Sequence, residues 1–333
     1  MKLLYLSCHA ILEYDECKIF NELGIDWFSL GSYVNPHLPA DAIRPGLAKV
    51  PNRFLLDIAP PKEHMGRTFI NNFDTIVIMD GAPAIAWIKN NWADMVGKRV
   101  ILRTIGQSTV DHEEQLRQFR NEGLQIVRYS PMEINIPGNV GCDAVIRFAK
   151  DPAEFKDWNG ADEQVINFTQ NMMNRGQHCH FDVFEEATRG FRRKLFGPKN
   201  ENAGEMFGGF LTYEELKQKM RDNRVYFYTG TEPACYTLNF MEAFMTGIPI
   251  VAIGPKLGNS LNIAGNLYEI PSIIQNTVNG FYSDNIVDLR KYIQALLSDK
   301  ALAQRISDLG RKTAIDLFGI DNIKSQWKQF LGL

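Results

Sequence analysis

The chain has 333 residues, 45% hydrophobic and 23% charged, which is ordinary for a soluble globular protein and enough apolar material for two domains. Its formal net charge of −3 supplies no electrostatic footprint for nucleic acid. Five cysteines, Cys8, Cys17, Cys142, Cys179 and Cys235, are odd in number and lack a Cys-x-x-Cys pair, which fits a reducing compartment better than a disulfide framework. The start is too short and too polar for a secretory leader, and no apolar run nears the ~18 residues of a membrane span. A cytoplasmic location is expected, with any membrane contact peripheral.

In chain order, residues 2–7 read as a strand, 14–23 as a helix stopped by Gly24, and 27–30 as a second strand. This β-α-β opening suits a doubly wound sheet. It has no Gly-x-Gly-x-x-Gly turn, so it does not support a dinucleotide cofactor. Residues 31–66 carry six prolines and little periodicity, the mark of a functional or covering loop. The clearest strand of the first half is 73–79, and it ends in Asp80-Gly81. Ligands of open α/β sheets sit beyond the carboxyl ends of strands, so Asp80 is a candidate for catalysis or acceptor binding, or else the start of a turn.

A strand at 99–104 precedes Ile105-Gly-Gln-Ser-Thr-Val-Asp-His112. Gln107, Asp111 and His112 are candidates there, and an imidazole titrating near neutrality can move a proton. Asp111 is expected to cap the helix 113–121, with Thr109 as the alternative cap. Strands follow at 125–129 and 144–148, and the polar stretch 150–163 reads as an interdomain linker.

The second half opens with a strand at 165–169. Its loop carries Arg175, whose guanidinium suits phosphate oxygens or solvent. His178-Cys-His180 offers two of the ligands of a metal site and no third or fourth at useful spacing. Residues 181–196 read as one amphipathic helix with a basic cluster, and Thr212 with Glu215 as a capping box on the helix 212–222.

The most informative stretch is 225–254. Residues 225–228 form a buried strand, Pro233 keeps the loop out of helix, and Thr237 caps a helix at 238–246. Gly247 and Pro249 end that helix before a strand at 250–253. The first amides of such a helix lack intrahelical acceptors and carry the positive end of its dipole, a seat for a diphosphate. Glu242 is a carboxylate among apolar neighbours and needs a partner, for which a sugar hydroxyl pair is one candidate; the alternative is a solvated or ion-paired helix residue. Helices at 286–297 and 300–317, with Asp299 between them as a cap, and an amphipathic segment at 318–331 complete the chain.

The run Tyr236-Thr-Leu-Asn-Phe-Met-Glu-Ala-Phe-Met-Thr-Gly-Ile-Pro-Ile-Val251 resembles the donor-site signature of GT-B glycosyltransferases, in particular the large retaining family typified by glycogen and sucrose synthases. Asn279-Gly-Phe-Tyr-Ser-Asp284 resembles a further element of that family. The resemblance covers 160–333 in sequence and only the architecture of 1–150. It implies an α/β fold of GT-B architecture, with two Rossmann-like doubly wound domains facing a central cleft. Residues 1–155 would be the acceptor side, 156–317 the donor side, and 318–333 a helix packing back on the first domain. It implies transfer from a nucleoside-diphosphate sugar, UDP- or GDP-linked, with no metal or other cofactor and with retention. Tyr236, Thr237, Leu238, Glu242 and Arg175 would bind the donor, Glu242 through its ribose.

The position eight residues before Glu242, a Glu in that family, is Ala234 here; Glu232 lies two residues further back. Glu232 therefore joins Asp80 and His112 as a catalytic candidate only with a two-residue adjustment of the loop. The acceptor, whether a saccharide, a lipid-linked saccharide or a modified DNA base, is not readable. Neither is the choice between a transferase, a sugar-nucleotide 2-epimerase, a DNA base glycosyltransferase of phage type and a non-catalytic nucleotide-sugar-binding protein.

Overall fold

The computed structural model describes residues 1–31, 53–81, 83–106 and 108–333. Gln107 and most of the proline-rich segment fall outside them. Strands β1 (Lys2–Leu6), β2 (Asp26–Ser29), β3 (Thr75–Met79), β4 (Arg99–Arg103), β5 (Gln125–Arg128) and β6 (Ala144–Val145) form one parallel sheet in the order β2-β1-β3-β4-β5-β6. Every residue of β3 is buried, as expected of a parallel strand covered on both faces.

One face of this sheet, with Leu4, Leu6, Ile76, Ile78, Val100, Leu102 and Ile126, packs on Phe69, Trp87, Ile88, Leu116 and Phe119. Each such side chain contributes about 1.5–3 kcal/mol by leaving water. The other face meets the helix Ala10–Glu22, where Tyr5 and Phe20 pack edge to face and Tyr5 Oη donates to Glu16. Trp327, on the helix Ile320–Leu331, closes on Phe20 with ring centroids 5.4 Å apart. Arg99 on β4 donates to the carbonyls of Phe330 and Leu331.

Strands β7 (Asp162–Asn167), β8 (Arg193–Leu195), β9 (Asn223–Tyr228), β10 (Ile250–Ile253) and β11 (Phe281–Ser283) form the second sheet, again parallel, in the order β11-β10-β9-β7-β8. The chain divides into one unit of Met1–Ala149 with Ile323–Leu333 and another of Lys150–Asn322. In each sheet the winding reverses beside the first strand: between β1 and β3 in one, between β7 and β9 in the other. The carboxyl ends beside those reversals are where open α/β sheets hold ligands. No helix among the described residues is long and apolar enough to cross a membrane.

Two local expectations are corrected. The single helix at 181–196 is a helix Phe181–Thr188 followed by β8. Gly190, at φ +86°, turns the chain, and Arg193 and Arg290 cap the carbonyls of Glu185, Glu186 and Ala187. The basic cluster thus lies on an edge strand and its turn. The cap of the helix Val110–Asn121 is Thr109, whose Oγ1 accepts from His112 N, while Asp111 lies within the first turn. Thr212 and Glu215 do form a capping box, and Asp299 caps the helix Lys300–Phe318.

Candidate functional site

At the second reversal point, β9 delivers the chain through Gly230 (φ +74°) into a loop and then the helix Leu238–Thr246. Thr237 has extended backbone, as a cap should, yet its side chain caps nothing. Its own amide donates to Tyr228 Oη at 3.1 Å, and the amides of Phe240 and Met241 return to Thr237 O. Among the described residues no acceptor meets the amides of Leu238 and Asn239. Two unpaired N–H groups at the positive end of a nine-residue helix form an anion seat. Asn239 Nδ2 donates to Phe168 O at 2.9 Å, tying the helix start to the end of β7. Thr229 Oγ1, fully buried at the end of β9, has no hydrogen-bond partner among the described residues.

The loop after β7 is fixed by Asn200, a buried amide that sequence reasoning missed. Its Nδ2 donates to the carbonyls of Thr169, Phe196 and Gly197, and its Oδ1 accepts from Met172 N. Arg175 ends the short helix Met172–Arg175 of this loop and is half-buried. No hydrogen bond or ion pair engages its guanidinium among the described residues. A polar residue scattered far from the loop it holds gives no periodic signal, which is why Asn200 was not legible.

The two carboxylates of this half have partners within the protein. Glu232 accepts from Ser260 Oγ and Leu261 N, both at 2.9 Å, and its Oε1 lies 3.5 Å from His180 Nε2. Burial pushes His180 below its ordinary pKa despite Glu232. Glu232 therefore staples the loop after β10 to the loop after β9. Glu242, only 2% exposed, pairs with Lys150 Nζ at 3.0 Å, and Lys150 is itself pinned by Phe318 O and Ile320 N. The resemblance gave Glu242 to the ribose; in this structure its carboxylate faces Lys150. Of the partners that burial demands, this carboxylate has a cation of the protein.

At the first reversal point, Asp80 lies fully buried just past β3, its amide donating to Arg103 O. Its Oδ1 is 3.1 Å from His112 Nε2, within ion-pair distance, although neither atom meets hydrogen-bond geometry among the described residues. The structure thus brings together two candidates that the sequence placed in separate elements. Burial alone would lower the His112 pKa, but the neighbouring Asp80 carboxylate outweighs it and holds the imidazole above its usual value. Cys8, at the end of β1, donates from Sγ to Asp80 O, and Lys62 Nζ donates to Ser7 O at 2.6 Å. Burial first, then Asp80, pushes the Cys8 thiol up to about 11. Behind Asp80 lie Ser108, Glu133, Arg128 and Glu113, all buried.

No protein-family model matches the chain, and no curated protein matches it by sequence. Solved structures do match. Sucrose-phosphate synthase from Thermosynechococcus elongatus has a TM-score of 0.69 at 14% identity, over 99% of this chain and 98% of that one. Anabaena HepE in complex with UDP-glucose gives 0.66 at 15% identity, over 100% and 99%. An alpha-glucosyltransferase in complex with UDP-glucose and DNA containing an abasic site gives 0.63 at 12% identity, over 99% of both chains. The shared property is the fold: two Rossmann-like α/β units, the GT-B architecture.

Proposed function

We propose that the chain is a glycosyltransferase that takes a sugar from a UDP- or GDP-linked donor. The diphosphate sits on the amides of Leu238 and Asn239, with Arg175 closing on it from the loop after β7. Thr237 lines its approach, while Tyr236 lies buried against Phe240 and Phe318 beneath it. Charge developing on the leaving diphosphate is met by helix dipole, amides and guanidinium, the electrostatic contribution that is often the largest in catalysis. In this reading these groups take the part that a divalent ion has in other transferases, and the transfer needs none.

In this reading Glu232 positions the loop on the sugar side, and Glu242 anchors Lys150 rather than the ribose. His112, with the buried Asp80 behind it, receives the acceptor hydroxyl. The Asp80 carboxylate orients the imidazole, whose free nitrogen takes up the proton. The stereochemical outcome is retention, as the resemblance of the 236–251 run implies.

The observation that carries the reading is the pair of unpaired amides at the winding reversal of the second sheet. Structures that share the fold over nearly the whole chain, HepE among them, hold UDP or UDP-glucose, which supports the donor class. Calorimetry with UDP, GDP and their glucose conjugates, followed by incubation with each conjugate and water or a mixed saccharide acceptor, tests it. Binding plus release of nucleoside diphosphate is expected. Epimer formation without release would instead mark a 2-epimerase, and binding with neither product a binding protein.

A further inference from the structure

Three buried carboxylates, Asp80, Glu113 and Glu133, converge behind the first reversal point, with Arg128 and His112 as the cations among them. Glu113 is matched: Arg128 grips it through Nη1 at 2.6 Å and Nη2 at 2.8 Å, and Val140 N adds a third donor. Glu133 is divided. Its Oε2 accepts from Thr104 Oγ1 at 2.7 Å, Tyr129 N at 3.1 Å and Ser130 N at 3.4 Å, so a proton there would displace donors. Its Oε1 faces Ser108 Oγ at 3.5 Å, with Arg128 Nη1 at 4.0 Å.

Ser108 is the link. Its Oγ is also 3.4 Å from Asp80 Oδ2, and a hydroxyl has one proton to give. With Asp80 and Glu133 both ionised, one of them faces the lone pairs of Ser108, and Glu133 Oε1 then has Arg128 Nη1, 4.0 Å away, as its remaining partner. With a proton on Glu133 Oε1 the donors run one way: Glu133 to Ser108, Ser108 to Asp80.

We infer that Glu133 is a positioning residue for the Asp80–His112 pair, storing one proton behind Ser108 and so setting the charge that His112 faces. The inference rests on the reading of that pair as the acceptor's proton-taking group. Burial pushes the Glu133 carboxyl up to about 7, and the nearby charge of Asp80 works in the same direction. Other titratable groups nearby among the described residues are Tyr129, whose amide donates to Glu133, Cys142, which feels Arg128 and Glu133, and Cys8 and Lys62 on the far side of Asp80. When Glu133 gives up its proton to solvent, a second negative charge appears behind Asp80 and His112 binds its own proton more tightly. The two sites therefore titrate together.

The test is ring NMR of His112 across pH 5–9, assigned with a His112→Gln variant among the 6 histidines. Wild type is expected to show a two-step profile with an inflection near neutrality. Glu133→Gln, which keeps a side chain able to complete the Ser130 capping box, should give a single step with its midpoint lowered by about 1 pH unit, the coupling at which two steps separate. A single step in wild type, unchanged in Glu133→Gln, overturns the inference. Should the variant not fold, the wild-type profile decides alone. No substrate is used, so failure here leaves the glycosyl-transfer reading standing. Failure of transfer with a two-step profile removes the reaction but keeps the coupling.

Discussion

Lys150 Nζ lies 3.0 Å from Glu242 Oε1, and both side chains are almost wholly buried. The pair joins the chain just past β6 to the helix that carries the anion seat. Breaking one partner of a buried pair strands a charge at a cost of about 3–5 kcal/mol. Glu242→Ala and Lys150→Ala should each lose stability on that scale in denaturant unfolding, and Lys150→Met with Glu242→Leu together should recover most of it. Glu242→Gln, where it folds, should bind UDP as wild type does. A selective loss of nucleotide affinity would restore the ribose role that the sequence suggested.

Glu232 holds the loop after β10 through Ser260 Oγ and Leu261 N. A hydrogen bond to a charged group contributes about 1.5–3 kcal/mol, so Glu232→Ala should speed hydrogen exchange at the Leu261 amide by about tenfold or more. Donor turnover should fall with it. Unchanged exchange at Leu261 alongside lost turnover would mean that Glu232 acts on the sugar directly.

Arg175 is predicted to read phosphate and not base. Arg175→Ala should weaken UDP by about tenfold, in line with loss of one charge-assisted contact, while uridine binding stays the same. Arg175→Lys should recover part of the loss, since a point charge replaces a fork.

Stability should fall as pH rises from acid to neutral, for two groups of the same sign. The folded Glu133 carboxyl titrates near 7 against an ordinary 4.5, so its contribution is whole below 4.5 and lost between 4.5 and 7. The folded His112 imidazole lies above its ordinary 6.5, so its contribution is whole below that value and lost as pH climbs past the raised one. Urea unfolding at pH 4.5, 6, 7 and 8.5 should show wild type losing stability that Glu133→Gln with His112→Gln does not lose.

Much of this architecture was legible because strands such as Ile76-Val-Ile-Met79 and stops such as Gly247 carry local, periodic signals. The helix 238–246 followed from those alone. The long helix at 181–196 failed because the residues that end it, Gly190 and the capping side chains Arg193 and Arg290, act through a turn and a distant arginine. The pairing of Asp80 with His112, 32 residues apart by number, needed the β3–β4 register to be seen. The inward turn of Glu242 hinged on Lys150, which sits 92 residues away in a stretch that read as linker.

The central claim is that the first amides of the Leu238–Thr246 helix grip a diphosphate, and Leu238→Pro addresses it most directly. Proline fits the first helical position, where no intrahelical bond is lost, and Thr237 already has the extended backbone that a following proline requires. The variant thus deletes one N–H and leaves the helix standing. Calorimetry should show UDP binding weakened by about tenfold or more, with near-wild-type unfolding. UDP affinity equal to wild type in the folded variant would contradict the account.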